Sequence, residues 1–234
     1  METRTGDALI ERIRTHPADD DIVGPAAHHL LTELYAGYPV ENLGRLLHSD
    51  DETVAGTGAW LLAELTELAA PMMDEIPALL AHRNRIVRHY AIAVVLDNAG
   101  ERHGPAIAQV IGLSEDPESA IRWKVLDFLA GASLEQLEAG AACLPAGPLR
   151  DLTEWLVLQE DEEPDLPGIV RRLTAGDAVT RLFAAAAAAS LSGPGDMTLL
   201  EHAARAEEEE IRAFAEERLA ELREDAASHP PEST

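Results

Sequence analysis

The sequence predicts an all-α fold, a right-handed α-solenoid of about six to seven stacked helix pairs with no sheet. One pattern of apolar residues with helical spacing recurs along the 234-residue chain, at intervals of 31 to 34 residues with one longer gap of 58. No segment shows the sustained alternation of β-branched residues that is typical of a strand. Because a single helix pair cannot bury its apolar face, stacked neighbours must share one continuous core.

The recurring pattern starts with a β-branched residue and continues with apolar positions four, seven, eight and eleven residues later. These positions lie on one face of an α-helix, so each copy predicts the second helix of a repeat. The six copies start at Val23, Val54, Val87, Ile121, Val179 and Ile211.

A short apolar segment precedes most copies and predicts the first helix of each pair. These segments are 43–47, 76–80, 106–111, 169–173 and 197–204. The long gap has room for one degenerate repeat near 140–168, with a helix at 149–160. We therefore expect a single solenoid domain over residues 1–225, followed by a polar, disordered tail at 226–234.

Gly-Pro pairs punctuate the joints between the predicted helices. Proline suits the first turn of a helix, because its missing N–H is not needed there. We therefore expect helices to start at Gly24-Pro25, Gly104-Pro105, Gly147-Pro148 and Gly193-Pro194.

The composition argues against several classes of protein. The chain has 18 Lys and Arg against 43 Asp and Glu, a net charge of −25, whereas phosphate binding needs clustered cations. No apolar run reaches the ~20 residues of a membrane span, and the charged segment 1–16 lacks the apolar core of a secretory signal. Cys143 has no partner for an intrachain disulfide. We expect a cytoplasmic protein that binds neither membrane nor nucleic acid.

The turn at 113–122 resembles that of the HEAT-repeat family. It contains Asp116-Pro117 followed by the pair Ile121-Arg122, and Val87-Arg88 and Ile211-Arg212 repeat the apolar-Arg pair. The resemblance extends over most of residues 17–225 and implies a protein-binding scaffold. It also implies that the Asp and Arg are structural and tie neighbouring turns together.

Acidic runs precede several second helices, at 19–21, 50–52, 115–116 and 207–210. Two roles are open for them. Carboxylates cap helix N-termini and complement the helix dipole. Stacked repeats would also align these turns into an acidic ridge that attracts a basic protein partner.

One turn has the opposite charge, because residues 82–85 read His-Arg-Asn-Arg. Within the helix that follows, Arg85, Arg88 and His89 share one face. Either adjacent acidic turns compensate these cations, or the cations bind an anion or an acidic partner segment. Trp, Tyr and Arg dominate interface energetics, although each Trp could instead pack in the core. The candidate partner-binding residues are Arg85, Arg88, His89, Trp60, Tyr90 and Trp123.

No catalytic motif is complete, so we expect no enzyme, no cofactor and no metal site. One constellation is similar to the Trp-x-x-x-Asp helix of HEAT-like DNA glycosylases, namely Trp123 and Asp127, with Arg172 or Arg181 as a distal cation. That resemblance implies removal of alkylated bases, and fold analogy also leaves a lyase open. The main hypothesis is a scaffold, adaptor or inhibitor, with an immunity protein that neutralises a basic toxin as a special case.

Overall fold

The computed structural model describes residues 3–161 and 163–228, and within them it confirms the all-α prediction. These residues form fourteen α-helices and four 3-10 helices without a strand. None of the described helices combines the length and the apolar character needed to cross a bilayer. The chain packs as two compact units, the first up to Ala99 and the second from Gly100. The prediction of one continuous domain stays a prediction.

The first unit contains three helix pairs whose second helices pack in sequence. Helix α1 packs on α2, α3 on α4 and α5 on α6, while α4 also contacts both α2 and α6. The 3-10 helices Val40–Leu43 and Thr66–Glu75 complete the connections. The helices are α1 Thr3–Thr15, α2 Asp20–Tyr35, α3 Gly44–Leu47, α4 Glu52–Glu64, α5 Ile76–Leu80 and α6 Arg85–Asn98.

The second unit is built around one alanine-rich helix, α12. Residues 184–188 of that helix are completely buried alanines, and the helix contacts α8, α10, α11, α13 and α14. The small alanine side chains allow neighbouring helices to pack close to α12. On α8, the Ala130 carbonyl accepts from the Ser190 hydroxyl of α12 at 3.4 Å. The helices are α7 Gly104–Gly112, α8 Ser119–Gly131, α9 Leu134–Cys143, α10 Pro148–Asp161, α11 Leu166–Ala175, α12 Ala178–Leu191, α13 Thr198–Ala203 and α14 Glu209–Ser228.

Two of the four expected Gly-Pro helix starts are wrong. Gly104 and Pro148 do begin α7 and α10. Pro25, however, lies inside α2, which starts four residues before Gly24 because the extended Asp19 is its N-cap. Gly193 instead belongs to a turn that it closes with an isolated bridge to Asp196, ahead of α13.

The C-terminal helix is longer than the sequence pattern indicates. Helix α14 continues to Ser228, so residues 226–228 are helical rather than part of a disordered tail. The remaining tail residues, 229–234, lie outside the described part of the chain.

Candidate functional site

A groove of about 650 Å³ lies over helices α2, α4 and α6 in the first unit. This volume is within the range of ~300–1,000 Å³ that is common for ligand-binding clefts. Its lining consists of Val23, Gly24, Ala27 and His28 from α2, Glu52, Thr53, Gly56, Thr57 and Trp60 from α4, and Asn84, Ile86 and Tyr90 at α6.

The helical repeat explains why these side chains share a surface. On α4 the lining positions recur three or four residues apart, which keeps them on one face. The opposite side of α4 packs on α3, where a Cβ at Gly58 would come within 2.8 Å of Leu46 Cβ. On the groove side, a Cβ at Gly56 would stand 3.5 Å from Ile86. Gly58 therefore allows α4 to pack closely on α3, and Gly56 leaves open space in the groove.

Three aromatic rings, those of His28, Trp60 and Tyr90, line the groove. The rings of His28 and Trp60 lie 5.4 Å apart with their planes at 49°, and Trp60 is half-buried. His28 Nδ1 is 2.9 Å from the Gly24 carbonyl oxygen, which can only accept, so Nδ1 is the protonated nitrogen. Tyr90 is also half-buried, and this burial raises its pKa, to which the charge of Glu64 adds.

The polar groups of the groove near the N-termini of α4 and α6 have partners within the protein. Glu52 pairs with Arg83 at 2.8 Å between Oε1 and Nε. Asn84 caps α6 by accepting from the Ile86 N–H at 2.9 Å and donates to the Glu52 carbonyl at 3.1 Å. The Thr57 hydroxyl donates to a carbonyl of its own helix at 3.0 Å. These groups are therefore satisfied within the protein.

A carboxylate lies on α4 beyond the aromatic residues of the groove. Glu64 is the last residue of α4, one helical turn after Trp60, and it is exposed. Its backbone carbonyl accepts from the hydroxyl of Tyr35 at 2.6 Å. Glu64 is not itself a lining residue, but it follows the lining residue Trp60 by one turn of α4, and its charge acts on the lining residue Tyr90.

Of the six candidate contact residues, the structure places Trp60 and Tyr90 in this groove. His89 is half-buried, with its ring edge-on to Tyr90 at 5.3 Å. Arg85 is exposed at the first residue of α6. His28 and Ile86 were not among the candidate contact residues, and they belong to the groove because α2 and α6 lie on either side of α4.

Arg88 closes its own turn. Its Nη1 donates to the carbonyls of His82 and Arg83 at 2.9 and 3.1 Å. Arg88 is the fourth residue of α6, and the fourth residues of α8 and α14, Arg122 and Arg212, make the same pair of bonds. These bonds hold each arginine in its own turn, and Arg122 Nε also donates to Glu210 in the first turn of α14, so that arginine links two turns as well.

Trp123 and Asp127 do lie together, on α8 in the second unit. Asp127 Oδ2 accepts from Lys124 Nζ at 2.8 Å, and Arg218 Nη2 is 3.8 Å from Oδ1. The Trp123 ring packs edge-on to Phe214 at 6.1 Å. The depression beside them measures about 50 Å³, well below the ~300 Å³ of a small ligand cleft.

The two arginines considered as distal cations have other partners. Arg172 lies over the ring of Trp155, 4.3 Å from its centroid. Arg181 forms a bidentate pair with Glu208. The arginine near Asp127 is Arg218, for which the sequence offers no signal because its approach depends on the packing of α14 on α8.

Within the described residues, no three His, Cys, Asp or Glu side chains cluster as metal ligands would. No family model matches the chain, and no curated protein is significantly similar to it. The groove of the first unit is therefore the feature on which a functional proposal can rest.

Proposed function

We propose that this chain is a non-enzymatic protein-binding scaffold or inhibitor, built from stacked HEAT-like helix pairs in a right-handed α-solenoid. The observation that supports this proposal is the groove over α2, α4 and α6, which Trp60 and Tyr90 both line. Truncation of large aromatic residues costs the most binding energy at protein interfaces, particularly where they occupy a concave centre.

The nature of the groove favours a peptide segment over a small polar ligand. The second helices of three successive pairs contribute to it, so it suits a chain segment that crosses them. Thr57 and Asn84 already bond within the protein, which leaves shape and ring contacts to select the partner. Ile86, which is 48% exposed, offers apolar surface at one end.

The charge of the chain favours a protein partner over a nucleic acid. None of the described residues that line the groove is Lys or Arg, and the net charge is −25. Phosphate backbones need cations and would be repelled by this surface. A basic toxin that is neutralised by this chain is a special case of the same proposal.

The test compares two tryptophan substitutions of threonine. Thr57→Trp fills the groove, whereas Thr174→Trp changes an exposed threonine of α11 in the second unit that makes the same hydroxyl bond one turn back. Each full-length chain is immobilised and exposed to native cell lysate, and circular dichroism confirms folding. We expect the unchanged chain and Thr174→Trp to retain the same protein and Thr57→Trp to lose it. Equal capture by Thr57→Trp would refute binding through the groove.

A further inference from the structure

We infer that the groove binds a partner segment carrying an arginine, which lies over the rings of Trp60 and Tyr90 and pairs with Glu64. An apolar residue of the same segment packs on Ile86. This inference rests on the proposed function and specifies the chemistry of the partner.

The three tryptophans differ in what covers them. Arg172 covers Trp155 at 4.3 Å, and Phe214 packs edge-on to Trp123. Within the described part of the chain, Trp60 has a ring contact with His28 but no Lys or Arg over its face. Its indole N–H also donates to no protein group there. Trp60 thus offers a ring face and a hydrogen-bond donor to an incoming segment.

An arginine fits the open ring face better than a neutral side chain. The face of an indole ring attracts cations, and Arg does this more often than Lys because its planar guanidinium stacks on the ring. The chain already uses this contact twice, at Trp155 with Arg172 and at Phe214 with Arg218. The indole N–H can bond to a backbone carbonyl of the bound segment.

The charges around the groove determine the orientation of the segment. Glu64 lies at the C-terminal end of α4, where the negative end of the helix dipole also favours a cation. At the other end Glu52 already pairs with Arg83. The cation of the partner therefore belongs at the Glu64 end, and its apolar residue belongs near Ile86.

The experiment selects binders from a display library of random peptides on the full-length chain, with counter-selection on Thr57→Trp. The peptides that survive depend on the groove. They are synthesised with a fluorescent label, and binding is measured by anisotropy at low and high salt. A second version of each peptide carries citrulline, the neutral isostere of arginine.

We expect the selected peptides to be enriched in arginine next to an apolar residue. Trp60→Ala should weaken binding about tenfold, and Trp60→Phe should weaken it less. Glu64→Gln, the citrulline peptide and high salt should each weaken it about two- to fivefold, as for an exposed ion pair. Glu216→Gln, which removes the same charge from an exposed position of α14, should leave binding unchanged.

Each contrary result has a separate meaning. Groove-dependent peptides that are neutral or acidic, or that bind equally with citrulline, would overturn the arginine inference and leave the scaffold proposal in place. Equal binding to Glu64→Gln would likewise overturn the role of that carboxylate. The absence of any peptide that Thr57→Trp rejects would refute the scaffold proposal as well.

Discussion

Replacing Arg122 with methionine should destabilise the second unit far more than the same change at Arg212. Both arginines donate from Nη1 to two carbonyls of their own turn. Of these two arginines, only Arg122 makes a further side-chain bond within the described residues. Its Nε donates to Glu210 at 2.6 Å. The side chain of Glu210 is 6% exposed and that of Arg122 is 26% exposed, so the carboxylate of the pair is largely shielded from water. The two substitutions therefore differ by one buried ion pair.

The expected magnitudes follow from that difference. Loss of the turn bonds alone should cost about 1–2 kcal/mol at Arg212. Removing one partner of a buried ion pair costs about 3–5 kcal/mol, because the remaining charge stays desolvated. Because both variants lose the same turn bonds and the Arg122 side chain is itself partly exposed, Arg122→Met should lower the free energy of unfolding by about 3 kcal/mol more than Arg212→Met, the lower end of the range for a buried pair. Since much of this cost is the isolated carboxylate, adding Glu210→Met should restore part of it.

Urea denaturation followed by tryptophan fluorescence can measure these differences, because Trp123 lies against Phe214 between α8 and α14. Four proteins are compared: the unchanged chain, Arg122→Met, Arg212→Met, and the double variant Arg122→Met with Glu210→Met. If Arg122→Met costs no more than Arg212→Met, or if the double variant is less stable than Arg122→Met, the argument from an isolated buried charge is wrong.

Three further predictions concern other parts of the chain. The hydrogen bond from Arg181 lowers the pKa of Glu208 below its ordinary 4.5. The ion pair therefore stabilises the fold above pH 4.5, and this stabilisation is lost as the pH falls through the lowered pKa that Glu208 has in the folded protein. Arg181→Gln should therefore reduce stability at neutral pH and have less effect in acid, and equal effects in urea titrations at both pH values would contradict this. Gly58→Ala should lower the free energy of unfolding by about 1–3 kcal/mol through overpacking. Gly56→Ala, with an ordinary contact in the same helix, should be neutral or stabilising, and thermal melts that rank the two in reverse would disprove it. Glu64→Gln should leave the melting temperature unchanged or slightly higher, because a carboxylate at a helix C-terminus opposes the dipole.

The second helices could be predicted because their apolar spacing is set by local helix geometry. Helix α1 was missed, since its buried positions Ile10 and Ile13 are too few to match the repeated pattern. The sequence did contain a signal for α9. Ser133 and Gln136 form a capping box, in which each side chain bonds to the backbone of the other. A capping-box pair can therefore predict where a helix starts even where the apolar pattern is degenerate.

The groove could be predicted only in part. Trp60 and Tyr90 were candidates on residue type alone, whereas His28 depends on how α2 packs beside α4. Arg85 and Arg88 share a helical face by spacing, but backbone carbonyls hold Arg88 in its turn. Side-chain spacing on one helix does not reveal those carbonyls, because the fold of the turn brings them to the guanidinium.

Acidic residues at the start of a helix have a structural role here, whereas Glu64, the proposed recognition residue, lies at the end of its helix. Asp51 and Asp177 precede their helices and accept backbone N–H bonds, and those bonds lower the pKa of Asp177. Glu210 lies in the first turn of α14 and pairs with Arg122. These acids stabilise the turns in which they lie. Glu64 lies at the opposite end of its helix, where its charge has no capping role and opposes the dipole. Because Glu64 does not favour its own helix and follows Trp60, which no described cation covers, we propose a binding role for it rather than a folding role.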